Sequence, residues 1–256
     1  MPSPAPRPLE ENSGLAFVGE RVAAGCALPA SLAGRLLNAR NPHGKPNTDV
    51  LRQLANSANF RQPNLPWQID FPRALGEREA SLYELPFQYL GRNVRADRAH
   101  WWVNPHAAAH LRTALARHDR YLATALGANP PEFTWLDSSI IPDDTLLVIA
   151  RDDDFTHGVL QSRPFALWWG QLHSRRTPTL SVDSFPFPWP PGTGLSTLTA
   201  PQEEQRHAVA RATRGGPAEQ INPAVAAAYG WPAGLTDSEQ LVRLQDLNHR
   251  RAAAGL

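Results

Sequence analysis

Four short runs rich in β-forming residues follow one another between Tyr121 and Ser162: Tyr121–Thr124, Glu132–Leu136, Thr145–Arg151 and Thr156–Ser162. Their spacing suggests an antiparallel or mixed sheet. Leu15–Val18, ending at Gly19, and the alternating Trp67–Phe71 read as two earlier strands, and Trp101–Val103 as a brief third. Helical patterns fall between them. Pro29–Asn38 places Leu32, Leu36 and Leu37 on one face. Glu77–Arg95 looks helical with an interruption at Pro86, whose ring cannot sit inside a regular helix. Asn104 followed by Pro105 has the form of an N-cap and first helical residue, with Leu111 and Leu115 on one face of a helix reaching about His118. Phe165–Leu172 reads as a further helix, while Asp49–Asn56 is short and ambiguous.

Composition shifts at Phe185–Gly194, a run of prolines and aromatics with two glycines. Beyond it the pattern is helical. Thr199–Gln202 and Thr236–Glu239 have capping-box form. Asn222-Pro223 repeats the N-cap signal, and Leu241, Leu244 and Leu247 form an apolar stripe. The expected organisation is a flexible proline-rich lead (1–13), an α+β domain (14–194) and a helical tail (195–256). The α+β domain is expected to hold a twisted, mostly antiparallel sheet flanked by helices.

With 42% hydrophobic and 19% charged residues the chain has a globular balance. Its formal net charge is only +1, so any nucleic-acid binding must come from a local patch. Lys45 is the only lysine. Codon bias explains that count, and a functional role falls to particular arginines, whose planar forks match guanine edges and phosphate oxygens. Cys26 is the only cysteine, so no disulfide or cysteine zinc site forms within the chain, which fits the cytoplasm. No apolar run is long enough to span a membrane, and Met1–Leu9 lacks a signal peptide's apolar core.

Three motifs invite catalytic readings that their details do not support. Asn129-Pro130-Pro131-Glu132 approaches the tetrapeptide with which adenine-N6 methyltransferases hold a flipped base, but the stacking aromatic is displaced to Phe133. It reads as a turn before a strand. Arg151-Asp152-Asp153-Asp154 has the carboxylates of a hard-metal site, but the one lysine is far away in sequence. Its acids are expected to cap a turn and pair with arginines. His106 and His110 stand four apart without the glutamate of a metalloprotease helix and read as a solvated pair. Gln171–Thr179 is different. It offers glutamine, histidine, two adjacent arginines and hydroxyls, the inventory for reading base edges, with arginine to guanine and glutamine to adenine. By composition alone it is also an ordinary basic surface loop.

Four segments, in order, carry a resemblance: Asn41–Arg52; Trp67–Phe71; Arg151–Phe155 with Gly158–Arg163; and Ser184–Pro191. From about Gly14 onward the chain resembles the C-terminal target recognition domain of MmeI-like (type IIL) restriction-modification enzymes and related adenine-N6 DNA methyltransferases. The resemblance implies a chain that selects a duplex DNA site and has no autonomous active site. S-adenosylmethionine would belong to a partner methyltransferase, with or without a nuclease, and this chain would hold no cofactor or metal. In the family, target-base identity is set just before the Phe-Pro-Phe-Pro motif. That place falls here to Gln171, His173, Ser174, Arg175, Arg176, Thr177 and Thr179. Lys45, His100, Arg120, Thr124, Asn129 and Arg163 are the secondary candidates, for phosphate or base contact. The segment lacks the family's glycine-lysine-glycine run, and Ala125–Asn129 replaces a more basic stretch. Asn41–Arg52 is expected to be a structural clasp anchored by Asp49 and Arg52, and Ser184–Pro191 a rigid strap. The alternative is an assembly subunit of a phage-defence complex that does not bind DNA.

Overall fold

The computed structural model describes residues 5–23, 25–94, 99–172, 177–190, 197–215 and 218–255. In chain order it begins with β1 (Ala16–Val18), α1 (Ala30–Asn38), β2 (Leu51–Ala55), β3 (Trp67–Ile69), α2 (Glu77–Ala80), α3 (Glu84–Asn93) and α4 (Ala109–Leu115). There follow β4 (Arg120–Ala125), β5 (Thr134–Asp137), β6 (Ile141–Pro142), β7 (Leu146–Ile149), α5 (Asp154–Leu160), α6 (Arg163–Leu172) and α7 (Leu180–Asp183). The helices α8 (Ala200–Gly215), α9 (Ile221–Ala228) and α10 (Asp237–Ala254) close the chain. The architecture is α+β.

Side-chain alternation organises the larger sheet, which has strand order β1-β7-β4-β5 with every neighbouring pair antiparallel. One face carries Leu122, Leu147 and Ile149 into an apolar cluster with α5, α6, α8, α9 and α10. The intervening residues Tyr121, Ala123, Leu146 and Val148 face a second cluster with Leu111 and Leu115 of α4 and Phe60 and Leu65 of a loop. The sheet is therefore covered on both faces, which is why β7 is buried along its whole length. A smaller sheet, β3-β2-β6, pairs β2 antiparallel to β3 and parallel to β6. With α1 and α3 it encloses a third cluster around Leu36, Leu51, Ile69, Phe71 and Leu90. The ambiguous Asp49–Asn56 thus supplies β2, the centre of that sheet.

Several local expectations change. Thr156–Ser162 lies mostly in helix α5, not in a strand. Asp153 caps that helix, accepting from the Thr156 N–H at 2.8 Å and the Thr156 hydroxyl at 2.9 Å. Phe155 and Val159, one turn apart, are both buried. Gly158 lets the backbone of α5 lie against α8: a Cβ there would stand 2.2 Å from Thr213 Oγ1 and 2.8 Å from Val209 Cγ1. Trp101–Val103 is a turn, with the Trp102 indole donating to the Leu75 carbonyl at 3.1 Å. Asn104 closes a local turn on the His106 N–H at 3.1 Å, and α4 starts only at Ala109, so His106 lies before that helix and His110 within it. The break predicted at Pro86 comes instead just before it, at Ser81–Tyr83 between α2 and α3. Early in α3, proline has no intrahelical N–H bond to lose.

The Ser184–Trp189 strap is buried and pinned from several sides. Phe185 and Phe187 are fully buried within the first cluster. The strap's carbonyls accept from Asn12 (Phe185, 2.8 Å), Tyr229 (Pro186, 2.8 Å), Arg251 (Phe187, 2.7 Å) and Asn248 (Ser184, 2.7 Å). The same cluster takes in Val209 of α8, Val225 of α9 and Leu244 of α10. One apolar core therefore runs from the sheet through the strap into the C-terminal helices. No helix among the described residues is long and apolar enough to cross a membrane.

Candidate nucleic-acid interface

Helix α6 carries the front edge of the Gln171–Thr179 segment. Its stripe Phe165, Trp168 and Trp169 is fully buried. Each indole also finds an acceptor, Trp168 at Ser184 Oγ (3.3 Å) and Trp169 at the Ala128 carbonyl (3.0 Å). The opposite side of α6 meets α10. Arg163 pairs with Asp237 at one end, and at the other the Gln245 amide donates to Gln171 Oε1 at 3.4 Å. Both contacts span 74 positions, so the two helices run parallel and in step. Asn222, expected to cap its own helix, instead accepts from the Arg163 N–H at 2.7 Å and caps α6.

Of the seven base-reading candidates, Gln171, Thr177 and Thr179 are described; His173, Ser174, Arg175 and Arg176 lie outside the described residues. Gln171 and Thr177 are exposed, one on each flank. Thr179 precedes α7, where its carbonyl accepts from the Val182 and Asp183 N–H groups at 2.9 Å each. Ser181 and Val182 are fully buried, and the Asp183 carbonyl accepts from the Leu9 N–H at 2.8 Å. Burial holds the Asp183 carboxyl above the usual range, although the Thr179 hydrogen bond works the other way. Both flanks of the segment are therefore fastened to the core.

The secondary candidates are spread over separate elements. Lys45 is exposed in the Asn41–Arg52 loop. That loop is a clasp, but its anchor is Asn47, fully buried, whose amide donates to the Leu36 carbonyl at 2.7 Å. Asn41 bridges the Asn47 side chain (2.8 Å) and the Lys45 carbonyl (2.9 Å). Asp49 contributes one bond, accepting from the Tyr83 hydroxyl at 3.1 Å. Arg52 instead lines a cavity of about 340 Å³ with Glu20, Asp70 and Arg112. His100 is exposed with a left-handed backbone (φ 56°), its ring 5.3 Å from Trp102. Asn129 is exposed in the turn before β5, where Glu132 pairs with Arg61 at 2.6 Å. Thr124 is corrected: it is fully buried and its hydroxyl accepts from the Glu132 N–H at 3.2 Å, so it offers no surface to a phosphate. Arg163 is engaged by Asp237.

Arg120 is likewise engaged. Its guanidinium lies 3.8 Å above the Trp135 ring, donates to the Asp152 carbonyl and pairs with Asp154 at 3.0 Å. The acidic run behaves as expected, one partner or two for each carboxylate. Asp152 meets His118 (3.0 Å), Asp153 meets Arg151 (2.8 Å) and the α5 cap, and Asp154 meets Arg120 and Arg214 (3.3 Å). His157 packs its ring 5.1 Å from Trp135, and burial pulls its pKa below the ordinary imidazole value. No three His, Cys, Asp or Glu side chains gather as a metal site among the described residues.

One constellation has no signal in the sequence. Arg112 of α4 bridges two buried carboxylates, Glu20 after β1 and Asp70 after β3. Its Nε reaches Glu20 Oε2 at 2.8 Å, and Nη1 and Nη2 reach the two Asp70 oxygens at 2.9 and 2.8 Å. Burial holds the Asp70 carboxyl above its usual pKa despite the arginine. Burial also opposes the arginine's charge, but its bonds to Glu20 and Asp70 prevail and raise its pKa. The partners lie 92 and 42 positions from Arg112, so no local pattern announces them.

No family model matches the chain, and no curated protein does at a significant level. Among solved structures the fold is similar to that of the type IIL restriction-modification enzyme MmeI in complex with DNA, with a TM-score of 0.65 and 12% identity. The likeness covers 99% of this chain and 37% of that one, so the chain spans little more than a third of the enzyme it matches. At that identity the likeness establishes the fold.

Proposed function

We propose that this chain is the sequence-reading part of a site-specific DNA-modifying system. It binds double-stranded DNA as the specificity subunit, or split half, of an adenine-N6 DNA methyltransferase or type II restriction-modification enzyme. The observation that carries this reading is the fold likeness to a DNA-bound restriction-modification enzyme along the chain's whole length. The ordered motifs of the sequence support it independently. The work is divided: this chain fixes the register on the duplex, and a partner carrying S-adenosylmethionine flips and methylates adenine. Gln171, His173, Ser174, Arg175, Arg176, Thr177 and Thr179 read the bases. The core-anchored flanks of that segment support the role, because base readout requires side chains held in place before binding. Lys45, His100 and Asn129 remain as exposed contacts to the backbone of the duplex.

A second reading is an assembly subunit of a phage-defence complex. The observation that favours it is internal neutralisation: Arg112, Arg120, Arg151, Arg163, Arg214 and Arg251 are all committed to carboxylates, in a chain of net charge +1. Selection of bound duplexes from a random-sequence pool by the purified chain, at 50 and 200 mM salt, separates the two. Sequence reading predicts one enriched motif and an affinity that falls steeply with salt. Arg175→Ala and Arg176→Ala should each relax one base position, by about 1–3 kcal/mol. No duplex affinity at low salt leaves the assembly reading.

A further inference from the structure

The C-terminal helices form a cavity of about 530 Å³ to which neither α6 nor α7 contributes. Its aromatic floor is the stacked pair Tyr229 and Trp231, with ring centroids 4.2 Å apart and planes 12° from parallel. Tyr229 is a fixed backing, because its hydroxyl donates to the Pro186 carbonyl at 2.8 Å. One wall is a single stripe of α10, where Arg243, Asp246 and Arg250 recur at helical spacing. Gln205 of α8 also lines the cavity.

The fold uses these groups only lightly: Arg250 Nε donates to the Asp246 carbonyl at 3.4 Å within the helix, and Arg243 lies near enough to Glu239 to add to the Thr236 hydrogen bonds that lower its pKa. Arg243 and Arg250 are exposed and make no ion pair among the described residues, whereas the neighbouring Arg251 is committed to Glu11 and to the strap carbonyls. The Gln205 amide has no hydrogen-bond partner among the described residues, and Asp246 has no cationic partner there. A guanidinium pair calls for an anion, and a flat aromatic floor calls for a flat partner. An amide beside a carboxylate calls for an edge that donates hydrogen bonds. The volume is that of a small-molecule site. Seven residues of helix separate the two arginines by about 10 Å along the axis, enough to bracket a nucleotide on its 5′ and 3′ sides.

We infer that this cavity binds an unpaired nucleotide with an amino-bearing base. The base stacks on Trp231, Asp246 and Gln205 receive its amino edge, and Arg243 and Arg250 carry the flanking phosphates. The site is separate from the duplex-reading segment and does not rest on that assignment.

Fluorescence anisotropy of the full chain with 5′-labelled twelve-nucleotide oligo(dA) and oligo(dT) tests it. Oligo(dA) should bind the more tightly, since thymine has no amino group to offer Asp246. Arg243→Ala/Arg250→Ala should weaken oligo(dA) binding at least about tenfold with the circular dichroism spectrum unchanged, because both side chains are exposed. Trp231→Ala should weaken it comparably. Displacement by millimolar dAMP assigns the site to free nucleotides, and displacement by unlabelled strand alone assigns it to single-stranded DNA. Equal affinity for the two oligonucleotides, an arginine variant that binds like the parent, or no binding of either probe overturns the inference. Arg175→Ala should leave oligo(dA) binding unchanged, so that failure of the duplex reading and failure of this one are told apart.

Discussion

At the scale of single residues, the most consequential side chain is Arg112, because it is bonded to two carboxylates that water barely reaches, with Arg52 adding only a more distant positive charge beside Asp70. Glu20 is 2% and Asp70 7% exposed, whereas the Arg112 side chain is 35% exposed. Arg112→Ala strands both acids. It should cost about 3 kcal/mol at pH 7, the low end for breaking a buried pair because the arginine itself reaches solvent. In that variant the Asp70 carboxyl, already raised by burial, would lose the arginine that pulls it down and titrate above its unfolded value, so stability returns as pH falls and is lost as pH rises. Urea unfolding at pH 7 and pH 5 measures this, and an equal loss at both would show that the acids are not the reason. His157 works in the opposite sense. Burial depresses its pKa below the ordinary value near 6.5, so the unfolded chain takes up the proton first as pH drops. Its contribution is complete above that value and is lost as pH falls through the folded pKa. His157→Gln should flatten the decline in stability between pH 7 and pH 5, with the slope of unfolding free energy against pH as the measurement. Neither residue stands out in the sequence. Arg112 occupies an unremarkable helical position, and His157 sits in a run that reads as a strand, since contacts made across 92 positions leave no local period.

Elements were legible where local chemistry decides them and illegible where packing does. The Thr236–Glu239 capping box forms in both directions, and α10 begins there as expected. The alternating residues of β4 and β7 divide between two cores as a period of two requires. By contrast, Thr156, Gly158 and Val159 read as strand, because two β-branched residues flanking a glycine are poor helix formers. The Asp153 cap and the close approach of α8 outweigh that propensity. Gly158 therefore permits the α5–α8 contact instead of merely tolerating the helix. Gly158→Ala should destabilise the protein by about 1–3 kcal/mol, despite alanine's higher helix propensity, because the new methyl overlaps Thr213 and Val209. Thr213→Ala removes the nearest atom, and the double variant should recover part of the loss, leaving what Val209 still imposes. A double-mutant cycle in thermal unfolding gives the coupling, and strict additivity would mean that the two helices do not meet at this glycine.

For the molecule as a whole, the proline-aromatic run at Phe185–Gly194 reads in the sequence as the divide before a helical tail, whereas the last strand, β7, ends at Ile149 and α5, α6 and α7 already precede the run. Burial adds what composition does not carry: the side chains that cover the sheet's helical face come from both sides of that run. Leu122, Leu147 and Ile149 share one cluster with Val209, Val225 and Leu244. The lead residues are drawn in as well, since Arg7 exchanges hydrogen bonds with Asn248 at 3.0 and 2.8 Å, and Arg251 holds Glu11. Those ties reach across 240 positions or more, so chain start and chain end support each other. The Gln171–Thr179 segment proposed to read bases inherits this dependence, because α10 runs alongside α6 from Asp237 to Gln245. A chain cut after Ser196 would leave Val159, Trp168 and Phe187 without their cover on the α8–α10 side. Buried aromatics and aliphatics each contribute about 1.5–3 kcal/mol, so stripping several exceeds the 5–15 kcal/mol by which a domain of this kind is stable. The truncated chain should therefore show no cooperative unfolding transition, bind hydrophobic dyes and be digested rapidly by protease. The full chain should unfold in one step, with tryptophan fluorescence and far-UV circular dichroism coincident. A truncated chain that melts cooperatively would make the C-terminal helices a separate folding unit. The rigidity of α6 would then have to come from the Trp168 and Trp169 anchors alone.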